Sequence, residues 1–148
     1  MVNNEPKIAV IIPTHNRPKL LVRAVCSVFN QTQHPDELII IDDGSHDLEN
    51  HDVKTTLHDS PIPVRAIQQP HLGVSAARNH GVSLSSGDWV AFLDSDDEWF
   101  PNKLKIQSKI INRDQSAVCV HSDEVWFKND VHMNQKNTTK NLEATYLI

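Results

Sequence analysis

The stretch WVAFLDSDDEW, residues 89–99, limits the fold of this chain more than any other. Its first five residues, Trp89, Val90, Ala91, Phe92 and Leu93, are continuously apolar, the pattern of a central parallel strand buried on both faces. Acid follows at once, with Asp94, Asp96, Asp97 and Glu98 standing within five residues. Such carboxylates repel one another, so packing alone does not favour them at a strand end, and a positive partner is expected among them. In an extended segment the side chains of Asp94 and Asp96 share one side, with Ser95 and Asp97 opposite. That pair suits a hard divalent cation, which takes oxygen ligands from one or two carboxylates and fills its shell with water and substrate phosphates. Ligands of open α/β sheets also collect beyond the carboxyl ends of the strands. The competing reading is a solvated acidic turn that happens to follow a strand.

The rest of the chain alternates in the same way. Residues 8–12 (IAVII) form a second β-branched apolar run, halted by Pro13 and followed by the loop Thr14, His15, Asn16, Arg17. Pro18 opens a helix to about residue 30, with Val22, Val25, Cys26 and Phe29 at i, i+3, i+4 and i+7. Residues 38–41 (LIII) give another buried strand ending in Asp42 and Asp43, with Gly44 and Ser45 as a tight turn. Residues 47–58 are polar and weakly periodic, an exposed helix at most, and residues 64–67 form a less apolar strand nearer the sheet edge. A helix over residues 73–85 carries Val74, Ala77, Gly81 and Leu84 on one face, with Gly87 as its left-handed stop. A helix entered at Pro101 runs to residue 113 with Leu104, Ser108 and Ile111 inward. Residues 117–120 (AVCV) read as a further buried strand, and residues 124–128 with 131–133 as a hairpin turning at Asn129 and Asp130. Residues 135–141 are polar without period, and the closing ATYLI is an apolar ending that looks interrupted. Alternating strands and helices predict a three-layer α/β/α domain with a mainly parallel sheet. Right-handed crossovers then bring the loops at Thr14, Asp43 and Asp94 to Asp96 to one edge.

The 148 residues suit one domain able to bury a real core. A net charge of −5 argues against a binder of nucleic-acid backbone and agrees with a ligand that arrives carrying a cation. No apolar run nears the roughly 20 residues of a membrane span, and MVNNEPK lacks a signal peptide's apolar segment, so the cytoplasm is the expected location. Cys26 and Cys119 both fall in apolar patterns and are expected in the core as free thiols. The nine histidines show no ligand pair on a convincing helix and are expected mostly at the surface.

Taken in order, VIIPTHNR, IIIDDGSHD, GVSAARNHG and FLDSDDEW resemble the amino-terminal nucleotide-binding half of family 2 glycosyltransferases, inverting enzymes of the Rossmann-like GT-A fold. The match covers roughly residues 7–105, and its weight lies in four motifs at the strand-loop positions they need. The resemblance implies that Pro13 and Thr14 line the nucleotide base and ribose. It implies that Asp43 accepts a hydrogen bond from a uracil N–H, with Asp42 structural, and that Arg78 lies near the donor diphosphate. Asp94, Ser95 and Asp96 match its D-x-D motif, Asp94 toward the ribose and Asp96 toward a Mn or Mg ion bridging the diphosphate. Arg78 has a plain competitor role, pairing with a surface carboxylate. His15 and Arg17 fit loop framework as well as chemistry, and Asp97 and Glu98 fit solvation of the loop or the amino end of the next helix.

What the resemblance implies about activity is transfer of a sugar from a nucleotide-diphosphate donor, UDP before others, to a saccharide or lipid-linked acceptor, in cell-surface polysaccharide biosynthesis. The inner membrane face is then the alternative location, as a peripheral protein. The family's general base comes from its carboxyl-terminal half, beyond Ile148, so residues 1–148 are expected to stop short of the acceptor region. No base is assigned to Asp123, Glu124, His121 or His132. A non-catalytic nucleotide- or metal-binding fragment is the alternative function. A phosphoacceptor receiver domain ranks far lower, since it needs its acidic pair after the first strand and a lysine after the fifth.

Overall fold

A computed structural model describes residues 5–128 and 131–133. Four parallel strands form the sheet in the order β3-β2-β1-β4: β1 at Ile8–Thr14, β2 at Glu37–Asp43, β3 at Val64–Gln69 and β4 at Trp89–Phe92. Alternation of side chains divides the core into two. Val10, Ile12, Leu38 and Ile40 pack toward α1 (Pro18–Phe29), α2 (His51–His58) and Leu104 of α4 (Lys103–Arg113), while Ile11, Ile39 and Ile41 pack toward α3 (Val74–Leu84). Three α/β/α layers result. Leu104, Ser108 and Ile111 of α4 are buried, and Pro18 stands in the first turn of α1.

Chain direction matters most for function. From β1 the chain steps to β2 and then β3 on one side, and after α3 it crosses to the other side of β1 to lay down β4. The order therefore reverses between β1 and β4. At such a switch point the following loops diverge and leave a crevice at the strands' carboxyl ends.

Several elements differ from their sequence pattern. Strand β1 continues through Pro13 to Thr14. The Ile11 carbonyl faces β4, where it accepts from Leu93, so a Pro13 N–H would point the same way, past the end of β4, and none is needed. Strand β4 is not central but an edge among the described residues, and Phe92 is 46% exposed. Its apolar run resembles that of a doubly covered strand because α3 and the α1 side each take alternate side chains. Val74 lies outside the buried stripe of α3, whose contact with the sheet is made by Ala77 and Gly81. Gly87 has no positive φ; a Cβ there would sit 2.8 Å from the Ala9 nitrogen, so close approach to β1 is what requires glycine. Residues 117–120 form no strand, and Val118 and Cys119 are exposed. This short run has no ladder partner among the described residues, and Cys26 is only partly buried, so neither thiol is a true core residue. The hairpin does form, β5 at Trp126–Lys128 against β6 at Val131–Met133. Its turn, residues 135–141 and residues 144–148 lie outside the described residues.

Candidate functional site

Four loops follow the four parallel strands and are tied to one another at the carboxyl-terminal rim. Asp47, buried in the loop after β2, accepts from the Thr14 hydroxyl at 2.6 Å and from the Arg17 amide at 3.0 and 2.9 Å, fastening the first loop to the second. Between them the chain turns through Asn16 in the left-handed region, φ 55°. His15 Nδ1 donates to the Asp43 carbonyl at 2.8 Å, and its ring stacks on that of His71 with centroids 4.2 Å apart.

Asp43 is the centre of this half of the rim. Its Oδ1 accepts from Gln69 Nε2 at 2.7 Å and the Leu72 amide at 2.9 Å; its Oδ2 accepts from the Gly73 amide at 2.8 Å and forms an ion-pair contact with His71 Nδ1 at 2.9 Å, while the His71 hydrogen bond goes to the Asp43 carbonyl. Burial pushes its carboxyl up, but the bonds from Leu72, Gln69 and Gly73, with the charge of His71, outweigh that and hold it below the ordinary carboxylate range. Asp42, on the opposite face, is fully buried and receives the Ser45 amide and hydroxyl on one oxygen, the structural part expected of it. Its other oxygen has no partner among the described residues.

Beyond β4 the segment does not stay extended. The Asp97 amide bonds the Asp94 carbonyl at 3.0 Å and closes a turn, so the alternation argument for Asp94 and Asp96 does not hold. The positive partner expected among the acids is present as three guanidinium groups: Arg78 from α3 on Asp94, Arg17 from the first loop on Asp96, and Arg23 from α1 on Glu98. Arg78 also lies 6.0 Å from the centre of the Phe92 ring. The Arg17 to Asp96 bond, 2.7 Å, spans the switch point from the loop after β1 to the loop after β4. Among the described residues Asp97 has no guanidinium partner, and burial together with Asp96, Asp94 and Glu124 pushes its carboxyl up. The turn thus keeps unbalanced negative potential.

Of the expected site residues, Thr14, Asp43, Arg78, Asp94 and Asp96 all join this connected rim, whereas Pro13 and Ser95 are buried beside it. No group of three acid, histidine or cysteine side chains among the described residues is arranged to cage a metal ion. The donor set still fits a hard cation of the kind that takes one or two carboxylates and finds its other ligands on a substrate diphosphate. Asp94 and Asp96 supply hard oxygens, both about half exposed, on a turn with surplus charge. Residues that the sequence patterns did not single out are Asp47, Gln69, His71 and Gly73. Only the loop position of Gly73, with φ 91°, carried a local signal for one of them.

A parallel α/β domain whose acidic loops meet at a switch point has the architecture in which ligands bind outside the carboxyl ends of the strands. Residues 9–146 match the sequence model of glycosyl transferase family 2, and the chain belongs to that family. It is 36% identical over 133 residues, 89% of its length, to an uncharacterised glycosyltransferase of Nostoc sp., covering 41% of that protein. It is 34% identical over 105 residues to the putative colanic acid biosynthesis glycosyl transferase WcaA of Escherichia coli, covering 71% of this chain and 38% of that one. The fold is similar to S. aureus TarS 1-349 in complex with UDP-GlcNAc, with a TM-score of 0.62, 27% identity, and coverage of 72% of this chain and 31% of that one. The chain spans about two fifths of these curated relatives. No helix among the described residues is long and apolar enough to cross a membrane.

Proposed function

We propose that this chain is the donor-binding part of an inverting glycosyltransferase that moves a sugar from a UDP-linked donor to a saccharide or lipid-linked acceptor. The observation that carries the reading is the ion pair of Arg17 and Asp96 across the switch point, with Asp43 on the same rim. It supports a reading in which a base-reading carboxylate and diphosphate-facing charges share one crevice. A likeness to TarS 1-349, whose structure contains UDP-GlcNAc, supports the choice of UDP.

In this reading the base lies toward Asp43, the ribose toward Asp94, and the diphosphate between Arg78 and Asp96. A bound Mn or Mg ion, held by Asp96 with Asp94, supplies Lewis-acid stabilisation of the charge that develops on the departing diphosphate. The arginines bring fixed positive charge to the same place, where Arg78 can exchange Asp94 for phosphate oxygens with little reorganisation. Asp43 discriminates among bases because a base without a matching N–H forgoes the hydrogen bond to its carboxylate.

Calorimetric titration with UDP tests this. Affinity is expected to be roughly tenfold or more higher with Mn than with a chelator, and Asp96→Ala should remove most of that difference. Equal affinity with and without metal would overturn the metal assignment, and no UDP binding would overturn the donor site. Binding of a UDP-sugar by the protein without its hydrolysis or transfer would favour a binding module over a transferase.

A further inference from the structure

The Asp43 carboxylate is crowded on both oxygens. A carboxylate offers about four lone-pair positions, and here two nitrogens stand within 2.9 Å of each oxygen, three of them as hydrogen bonds and His71 Nδ1 as an ion-pair contact. An incoming base N–H can reach it only by replacing one of them. Three are poorly placed to leave. The Leu72 and Gly73 amides belong to the backbone that enters α3, and the Gln69 amide group is buried and further held by His80 Nδ1 on its oxygen at 2.8 Å. The fourth nitrogen differs in each respect. The His71 side chain is 62% exposed, and its Nδ1–H bonds the Asp43 carbonyl at 2.9 Å while the same nitrogen stands 2.9 Å from the carboxylate as an ion-pair contact. His15 already bonds that carbonyl, so the departure of His71 leaves it satisfied.

We propose that His71 is a gate over the base-reading carboxylate: it occupies one Asp43 position and swings off, unstacking from His15, when a nucleobase N–H takes its place. This inference rests on the donor-site reading and adds a residue that sets base affinity without being the reader itself. It requires competition between ring and base for Oδ2, while the three inner donors stay in place.

The test uses UDP and its N3-methyl analogue, which lacks the competing N–H. Nitrogen-15 NMR of the histidine rings reports the His71 Nδ1 hydrogen bond before and after each ligand. UDP is expected to abolish it and leave the Leu72 and Gly73 amide signals hydrogen-bonded; N3-methyl-UDP is expected to leave all of them unchanged. Removing the competitor in His71→Ala should raise the preference for UDP over the analogue about fivefold, the worth of one ordinary hydrogen bond. UDP binding with the His71 bond intact, or an unchanged preference in the variant, would overturn the gate while leaving the donor site standing. Failure of UDP to bind at all would overturn both.

Discussion

Gly44 shows how little freedom a single residue has at this rim. Its φ of +76° disfavours any side chain, and a Cβ there would lie 2.6 Å from the His71 backbone nitrogen. Gly44→Ala is therefore expected to cost about 2 kcal/mol or more, read as a lowered midpoint in urea unfolding. Asp43→Asn makes a sharper test of that crowding. One of its atoms would present N–H to an existing donor, and unfolding free energy should fall by about 2 kcal/mol in the absence of any ligand. An unaffected Asn variant would mean that the three bonds carry little. At this scale the sequence was informative about which residues matter and silent about what they touch. Four acids after β4 demanded positive charge, yet nothing local pointed to Arg17, which is 79 positions from Asp96.

Among the elements, α3 decides the site because it carries Arg78 and follows the Asp43-bound turn. It lies on β1 through Gly81, where a Cβ would stand 2.5 Å from Ile11 Cγ2. Ile11 is fully buried and cannot yield outward. Gly81→Val should therefore cost about 2 kcal/mol or more and weaken UDP binding as well, because lifting α3 moves Arg78 off Asp94. Calorimetry of folding and binding on one variant checks both; loss of stability with full affinity would show that α3 does not position the arginine. Periodicity placed this helix correctly and Ala77 and Gly81 inward. It misplaced Val74, which stands in the first turn of the helix and is exposed. Periodicity likewise could not distinguish an edge strand from a central one, because the apolar run of β4 describes coverage of its faces and not of its sides.

For the whole molecule, two carboxylates at opposite ends of the sheet link stability to pH. At the amino-terminal end Glu37 accepts from the Ser86 amide and hydroxyl and from Arg65 Nη2, joining β2, β3 and the turn after α3. Burial pushes Glu37 up, but these bonds and the Arg65 charge bring it below the ordinary range, as happens to Asp43 at the other end. A carboxyl whose folded pKa is depressed contributes stability above its unfolded pKa and loses it as pH falls through the folded one. The melting temperature should thus hold near neutrality and decline from on the order of pH 5 downward. Glu37→Gln should lower it at pH 7 and flatten that decline; an unchanged slope would remove Glu37 from the account.

Local pattern was enough for the four parallel strands, their order along the chain, the layers and the three polar or acidic loops at one edge, because apolar runs and their abrupt polar ends are written within a few residues. The four family motifs pointed the same way. What required the folded chain was partnership: which arginine meets which carboxylate, that Asp43 is closed in by Gln69, Leu72 and Gly73, and that β4 ends at an edge. The first and last follow from the direction in which the crossover after α3 returns to β1, and hydrophobic spacing carries no information about that direction. Charge pairs across a switch point are made between segments that meet only once the sheet exists.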